Sequence, residues 1–272
     1  IATLLMAGVA IISLLITYAL YDRIMLMGTD SHEVTPETAQ SLQEKQLYNV
    51  VDEMRVAAGL KYMPKVFIIE ASYMNAFASG YSEKSAMVAI TRGLMEKLDR
   101  AELQAVMAHE LSHIRHHDIK LTLMVAVLSN ILLLVLDMLF YSTIFRRDRR
   151  DQQNGLLLVI IVLRYLLPLL TVILGLFLSR TREYMADAGA VELMRDNEPM
   201  ARALLKISED HQIHAEQYRQ AYGNTAHEEL RQASYLFDPS SIDPVKSLTN
   251  LFSTHPDPDK RLEALGFKRK NQ

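Results

Sequence analysis

The chain has 272 residues, a formal net charge of −3 at pH 7 and no cysteine, and half of it is hydrophobic. So mild a charge argues against a nucleic-acid partner, and the lack of cysteine excludes disulfides, thiol catalysis and Cys-ligated zinc. The length suits one large domain or two small ones, and a start at Ile1 rather than Met points to a piece of a longer chain.

Residues 1–20 carry no charge. At about 1.5 Å per residue they match the roughly 30 Å hydrocarbon core of a bilayer, so a transmembrane helix is expected there. Tyr21, Asp22 and Arg23 close it at the interface. A first catalytic part, 21–120, follows. Thr35-Pro36-Glu37 combines a cap, a proline at the first helical position and an acid in the first turn, which predicts a helix to Gly59 or Leu60. Lys65 to Glu70, Asn75 to Ser79 and Ala86 to Thr91 read as strands. Gly80 and Ser82-Glu83-Lys84 between the last two suggest a hairpin.

The next stretch carries the chemistry. Asp99 and Glu102 form a capping box, and Leu103, Val106, Met107, Leu111 and Ile114 supply an apolar stripe at helical spacing. On this helix lies His109-Glu110-Leu111-Ser112-His113, an H-E-x-x-H motif. Four residues apart, both imidazoles leave the same face and can bind one zinc ion. Glu110, beside them, is placed to take a proton from water rather than to bind the metal. His116 and His117 lie about a turn further on, out of reach of that ion, and read as solvated or headgroup-facing.

Leu121 to Phe140 and Gly155 to Leu178 are two long apolar runs around an arginine-rich turn, Arg146 to Asn154. They predict a membrane hairpin over 121–178. Within it lie Asn130, Asp137 and Arg164. Asp137 and Arg164 are similarly distant from the turn and are expected to form a structural ion pair. Pro168 is expected to kink its helix. A second catalytic part, 179–272, opens with a helix continuing through Met194, then more helix from Pro199 to about Gln217. Tyr222 to Thr249 is mixed. Thr254-His255-Pro256-Asp257-Pro258 is a turn, followed by a short helix, Arg261 to Leu265, stopped by Gly266.

A catalytic zinc has three protein ligands and one open position. Without cysteine the third ligand is His, Glu or Asp, and Glu183 is the best candidate. Asp187 lies one turn further on the same face, where it can accept a hydrogen bond from a ligand imidazole. The alternative is an ordinary amphipathic acidic helix. Two crossings between His109 and Glu183 put both on one side of the membrane. Leu121 comes eight residues after His113, and Glu183 five after Leu178. These offsets of about 12 Å and 8 Å put the zinc near the bilayer surface.

Taken together, the chain resembles the HtpX-type membrane zinc metalloproteases, relatives of the CAAX prenyl proteases. The resemblance rests on His109 to His113, on Arg182-Glu183-Tyr184-Met185-Ala186-Asp187 after a membrane hairpin, on Thr254-His255-Pro256 with Arg261, and on Asn75-Ala76-Phe77-Ala78 ahead of the metal helix. It covers nearly the whole chain in the right order. It implies a mainly α membrane protein with a small β-sheet, a gluzincin-like zinc metalloprotease core attached to transmembrane helices. It also implies a multi-pass protein of the bacterial inner membrane whose active site faces the cytoplasm, acting on unfolded or misfolded membrane proteins in quality control. The family has a further membrane helix ahead of the first one here. Charge leaves the orientation nearly undecided, because four arginines in the 146–150 turn face five basic residues on the other side.

The expected mechanism has one Zn(2+) per chain on His109, His113 and Glu183, with Glu110 as general base and acid. A substrate chain adds to the sheet edge at Asn75, Ala76, Phe77 and Ala78. His255 either donates to the developing oxyanion or packs as a turn residue, and Arg261 ties its turn to a carboxylate. A prenyl-protein protease is the nearest rival. A metal transporter would need more ionisable residues in its spans, and a scaffold with a structural zinc would need a fourth ligand.

Overall fold

The computed structural model of the chain describes residues 24–80, 82–145, 154–226, 231, 234–238, 253 and 255–267. The expected first transmembrane helix at 1–20, the turn at 146–153, Thr254 and most of the mixed region after residue 226 lie outside the described residues. The described part is mainly helical around one four-stranded sheet of order β1-β2-β4-β3. The strands are β1 (Ser31–Val34), β2 (Lys65–Ile69), β3 (Ala76–Ser79) and β4 (Met87–Thr91). β2 and β4 pair in parallel, while β1 with β2 and β3 with β4 pair antiparallel. β3 is therefore an edge strand, opposite Met87–Ile90 as the hairpin reading expects.

Every residue of β4 is buried, which is why Met87–Thr91 reads as a continuous apolar run without alternation. One face of the sheet packs on α1 (Leu42–Ala57), α3 (Arg100–Arg115) and α6 (Glu198–Ile213). Leu47, Val51, Ile68, Ile90, Val106 and Leu204 meet in that core. The other face carries Phe77, Met87 and Ala89, which pack with Tyr73, Tyr218 of α7 (Ala215–Asn224) and Tyr235. Burying a side chain of the size of Phe77 or Met87 contributes about 1.5–3 kcal/mol.

Helix bounds differ from the sequence expectation in places, the last helix for instance beginning at Pro258 rather than Arg261. The helix expected from Thr35 begins at Leu42 instead. Thr35 Oγ1 accepts from the Glu37 and Thr38 amides, and the Ala39 amide reaches the Thr35 carbonyl, so the cap closes one isolated turn. Ser41 starts the helix by accepting from the Glu44 amide, while Glu44 Oε2 takes the Gln40 amide. This second start signal, S-x-x-E, outcompetes the first. Gly59 stops the helix at φ +71, where glycine carries no Cβ penalty. The helix expected over Pro199 to Gln217 is broken at His214, whose φ and ψ of −106° and 22° separate α6 from α7. β1 and the short α2 (Arg92–Lys97), capped by Thr91, are additions to the sequence reading.

α4 (Asp118–Phe145) and α5 (Asn154–Met194) pack as a pair, each long and apolar enough to cross a membrane. Leu134 and Met138 on one, and Leu158 and Phe177 on the other, are exposed, as side chains facing lipid would be. The expected ion pair is present, with Arg164 Nε 2.9 Å from Asp137 Oδ1. Arg164 also lies 4.6 Å over the Phe140 ring, so its charge is shared between a carboxylate and an aromatic face. Pro168 sits inside α5, which continues through it.

Candidate metal centre

α3 is fixed at its start by a full capping box. The Glu102 amide donates to Asp99 Oδ1 and the Asp99 amide to Glu102 Oε2, both at 2.9 Å. Lys206 Nζ holds the same Glu102 oxygen at 2.6 Å. One helical turn then separates His109, fully buried, from His113, half-buried. Their Nε2 atoms face each other at 3.2 Å. α5 runs alongside and brings Glu183 to them, with Oε2 3.7 Å from His109 Nε2 and Oε1 3.6 Å from His113 Nε2. One ligating atom from each of the three lies within 4.8 Å of the others.

These separations suit a small divalent ion. Two nitrogens each about 2.0–2.1 Å from one tetrahedral ion stand roughly 3.3–3.4 Å apart, close to the 3.2 Å observed. The outward nitrogens are also engaged. His113 Nδ1 lies 2.7 Å from Asp118 Oδ2, and His109 Nδ1 lies 3.0 Å from Asp187 Oδ1, the latter off the ideal N–H line. With Nδ1 turned toward a carboxylate, each imidazole keeps an Nε2 lone pair for a metal. Glu183 Oε2, fully buried, makes no hydrogen bond among the described residues, and Arg261 Nη1 at 3.5 Å offsets the cost of burying it by charge alone.

Glu110 is 1% exposed, and neither carboxylate oxygen has a hydrogen-bond partner among the described residues. Burial, with the charge of Glu183 adding to it, lifts its carboxyl to about 7, although His113 and the nearby Ala78 N–H act the other way. Burial pulls the His109 imidazole down against the pull of Asp187. His113 is also disfavoured as a cation by burial, but Asp118 and Glu183 outweigh that and raise it.

Behind Glu183 lies α8 (Pro258–Ala264) with the turn before it. Arg261 grips Asp187 through two hydrogen bonds of 2.9 and 2.7 Å and donates to the Leu236 carbonyl at 2.8 Å. Its third neighbour is Glu183 Oε2 at 3.5 Å. The expected tie from this turn to a carboxylate is thus made to Asp187. His255 Nδ1 stands 3.3 Å from Glu183 Oε2, so the His-Pro turn meets the centre at the third acid. His116 caps α3, and His117 turns the chain at φ 56. Neither belongs to the His-His-Glu group.

Asn75 to Ala78 lie ahead of the centre at the sheet edge. Asn75 is fully buried, and its side chain donates to the Phe237 carbonyl at 2.9 Å and to Tyr222 Oη at 3.1 Å, while Oδ1 accepts from the Phe237 amide at 3.1 Å. Two features escape the sequence reading. Asp118 follows a left-handed residue, and nothing short-range marks it as a partner of His113. The docking of Leu236 and Phe237 onto Asn75 joins residues more than 150 positions apart, with no local signal at all.

The profile of Peptidase family M48 matches residues 41–267. The chain is 43% identical over 264 residues to the protein named Protease HtpX homolog of Helicobacter pylori strain J99, an alignment covering 97% of this chain and 79% of that one. It is 42% identical over 264 residues to the protein of the same name from Helicobacter acinonychis strain Sheeba, covering 97% and 80%. Among solved structures it is similar in fold to S. mikatae Ste24p, with a TM-score of 0.57, 19% identity, and coverage of 97% of this chain and 58% of that one. The chain thus spans little more than half the length of that structure. On the family match and the two relatives, the chain belongs to peptidase family M48 and is a metalloprotease with membrane-length helices.

Proposed function

We propose that the chain is a zinc-dependent endopeptidase that hydrolyses peptide bonds of unfolded or misfolded membrane proteins at the surface of a bacterial inner membrane, its active site on the cytoplasmic side. The observation that carries this reading is the convergence of His109, His113 and Glu183 within 4.8 Å, next to a buried Glu110 whose oxygens have no hydrogen-bond partner among the described residues. In this reading the catalytic parts are 21–120 and 179–272, joined by the hairpin 121–178. One Zn(2+) is held by His109, His113 and Glu183, and when bound it supplies Lewis acidity toward water and the scissile carbonyl.

The remaining work falls to side chains. Glu110 accepts the proton of the attacking water on a carboxylate oxygen and returns it to the leaving amine nitrogen; its burial beside the two imidazoles keeps bulk water from competing for that proton. Asp118 and Asp187 orient the two imidazoles. Arg261 fixes Asp187. His255, whose Nδ1 lies 3.3 Å from Glu183 Oε2, donates to the oxyanion from Nε2 when that nitrogen carries the ring proton. The edge of β3 receives the substrate backbone, which gives weak sequence selectivity, as a quality-control enzyme needs.

The test is casein hydrolysis in detergent by wild type and Glu110→Gln, with and without chelator, alongside metal analysis. Glu110→Gln is expected to keep zinc and lose on the order of 10²–10⁴ in rate. Full activity in that variant removes the proposed base, and a wild type that binds no zinc removes the metal.

A further inference from the structure

The pairing pattern of β3 fixes which of its backbone groups face outward. The Thr91 amide donates to the Asn75 carbonyl, so Asn75 and Thr91 are a hydrogen-bonded pair of the antiparallel ladder. With Ala76 opposite Ile90 and Ala78 opposite Val88, the peptide groups of Phe77 and Ser79 turn toward β4, and those of Ala76 and Ala78 turn away from the sheet. An added strand meets only the outward pair.

The outward groups at Ala76 are already used by the chain itself. The Leu236 amide donates to the Ala76 carbonyl at 2.8 Å, and the Ala76 amide donates to its neighbour's Asn75 Oδ1 at 3.1 Å. The covering segment is clamped in turn, because Asn75 bonds both the amide and the carbonyl of Phe237. Leu236 is 1% exposed and also gives its carbonyl to Arg261. This segment is core, not a removable flap. Ala78 differs. Its amide faces the Glu110 carboxylate, but its outward carbonyl accepts no backbone hydrogen bond outside the ladder among the described residues.

Resting on the reading of the β3 edge as the place where substrate docks, we propose that the segment Tyr235–Asp238 closes one end of that edge, so that a substrate strand pairs with Ala78 alone and then leaves the sheet. Asn75 and Leu236 are positioning residues in this arrangement. A single bridge beside Glu110 sets the register of the scissile bond while demanding an extended conformation of only one substrate residue. The chemical class of substrate that fits is a locally unfolded segment with little extended structure around the cut, rather than a long preformed strand.

The experiment uses the full chain, zinc-loaded in detergent, and one casein-derived peptide whose cleavage site has been mapped. Backbone N-methylation is moved along the peptide one residue at a time, leaving out the scissile amide, and kcat/KM is measured for each. One sensitive position is expected, with a loss of tenfold or more, and its neighbours two residues to either side change less than about threefold. Two sensitive positions two residues apart show a continuous ladder reaching Ala76 and overturn the proposal. No sensitive position shows that the edge is not paired, and overturns it as well. Failure of zinc-loaded wild type to cut the unmethylated parent peptide at all brings down the protease reading and this inference with it.

Discussion

Gly189 on α5 and Ser112 on α3 touch so closely that a Cβ at position 189 would lie 2.4 Å from Ser112 Oγ and 2.9 Å from its Cβ. Ser112 precedes His113, and Gly189 comes two residues after Asp187. This contact therefore sets the spacing between the helix that carries the imidazoles and the helix that carries the acids. Gly189→Ala forces the two apart or strains the Ser112 turn, at an expected cost of about 1–3 kcal/mol, partly offset by the roughly 1 kcal/mol gain in helix propensity. Bound zinc per chain is expected to fall with the melting temperature. Adding Ser112→Gly reopens the space, so the double variant is expected to hold more zinc than Gly189→Ala alone. A Gly189→Ala protein with wild-type zinc content and melting temperature would show that the spacing is set elsewhere.

Much of this centre could be read from the sequence because it obeys short-range periodicity. His109 and His113 are one turn apart, Glu183 and Asp187 are another turn, and the two apolar runs between them fold back to bring the turns together. The ion pair of Asp137 with Arg164 follows from the same symmetry about the turn. What escaped depends on events without a local signature. Asp118 reaches His113 because His117 takes a left-handed conformation, uncommon outside glycine. The helix start at Ser41 rather than Thr35 is different in kind, a contest between two local caps that the S-x-x-E signal of Ser41 and Glu44 wins. Leu236 and Phe237 find β3 across most of the chain length, and only the folded core makes that contact.

Asp118 is expected to matter to the metal without touching it. Its Oδ2 orients the His113 ring through Nδ1, and loss of such a partner weakens metal affinity by about 10–100-fold. Asp118→Ala is therefore expected to give up zinc to a competing chelator at a correspondingly lower concentration. His116→Ala, one residue outside α3, is the control and is expected to behave as wild type. Equal zinc affinity in Asp118→Ala and wild type would remove the orienting role.

Arg261 and Asp187 form a buried pair, 2% exposed on each side. Removing one partner of such a pair typically costs about 3–5 kcal/mol, because it strands the other charge. Arg261→Met is expected to destabilise by that order and Asp187→Asn by less, since Glu183 Oε2 still faces Arg261 at 3.5 Å and the amide oxygen still accepts from it. The double variant is expected to be more stable than the sum of the single losses, by the logic of a mutant cycle. Denaturant unfolding in detergent reads all three, and strict additivity would show that the two side chains act independently.

His211 gives the fold a pH dependence away from the metal. It is fully buried, and burial pushes its imidazole down to about 4 from the ordinary 6.5. Nδ1 donates to the Ile207 carbonyl at 2.9 Å, which leaves Nε2 to accept from Tyr222 Oη at 3.2 Å, and Asn75 donates to that same hydroxyl. The neutral ring thus links α6 and α7 to the start of β3. The charged and titratable groups around it are Asp210, paired with Lys97 at 2.6 Å, and His214 with Tyr218. Because the folded pKa is depressed, the unfolded chain takes up the proton first. The stabilising contribution is complete above about 6.5 and is lost as pH falls toward 4. Linkage over that window predicts a loss of about 2 kcal/mol between pH 7 and pH 5. His211→Gln, which cannot protonate there, is expected to be less stable than wild type at pH 7 and to lose less of its remaining stability at pH 5. Unfolding curves for both proteins at the two pH values decide it, and parallel losses would mean that the acid sensitivity arises from other groups.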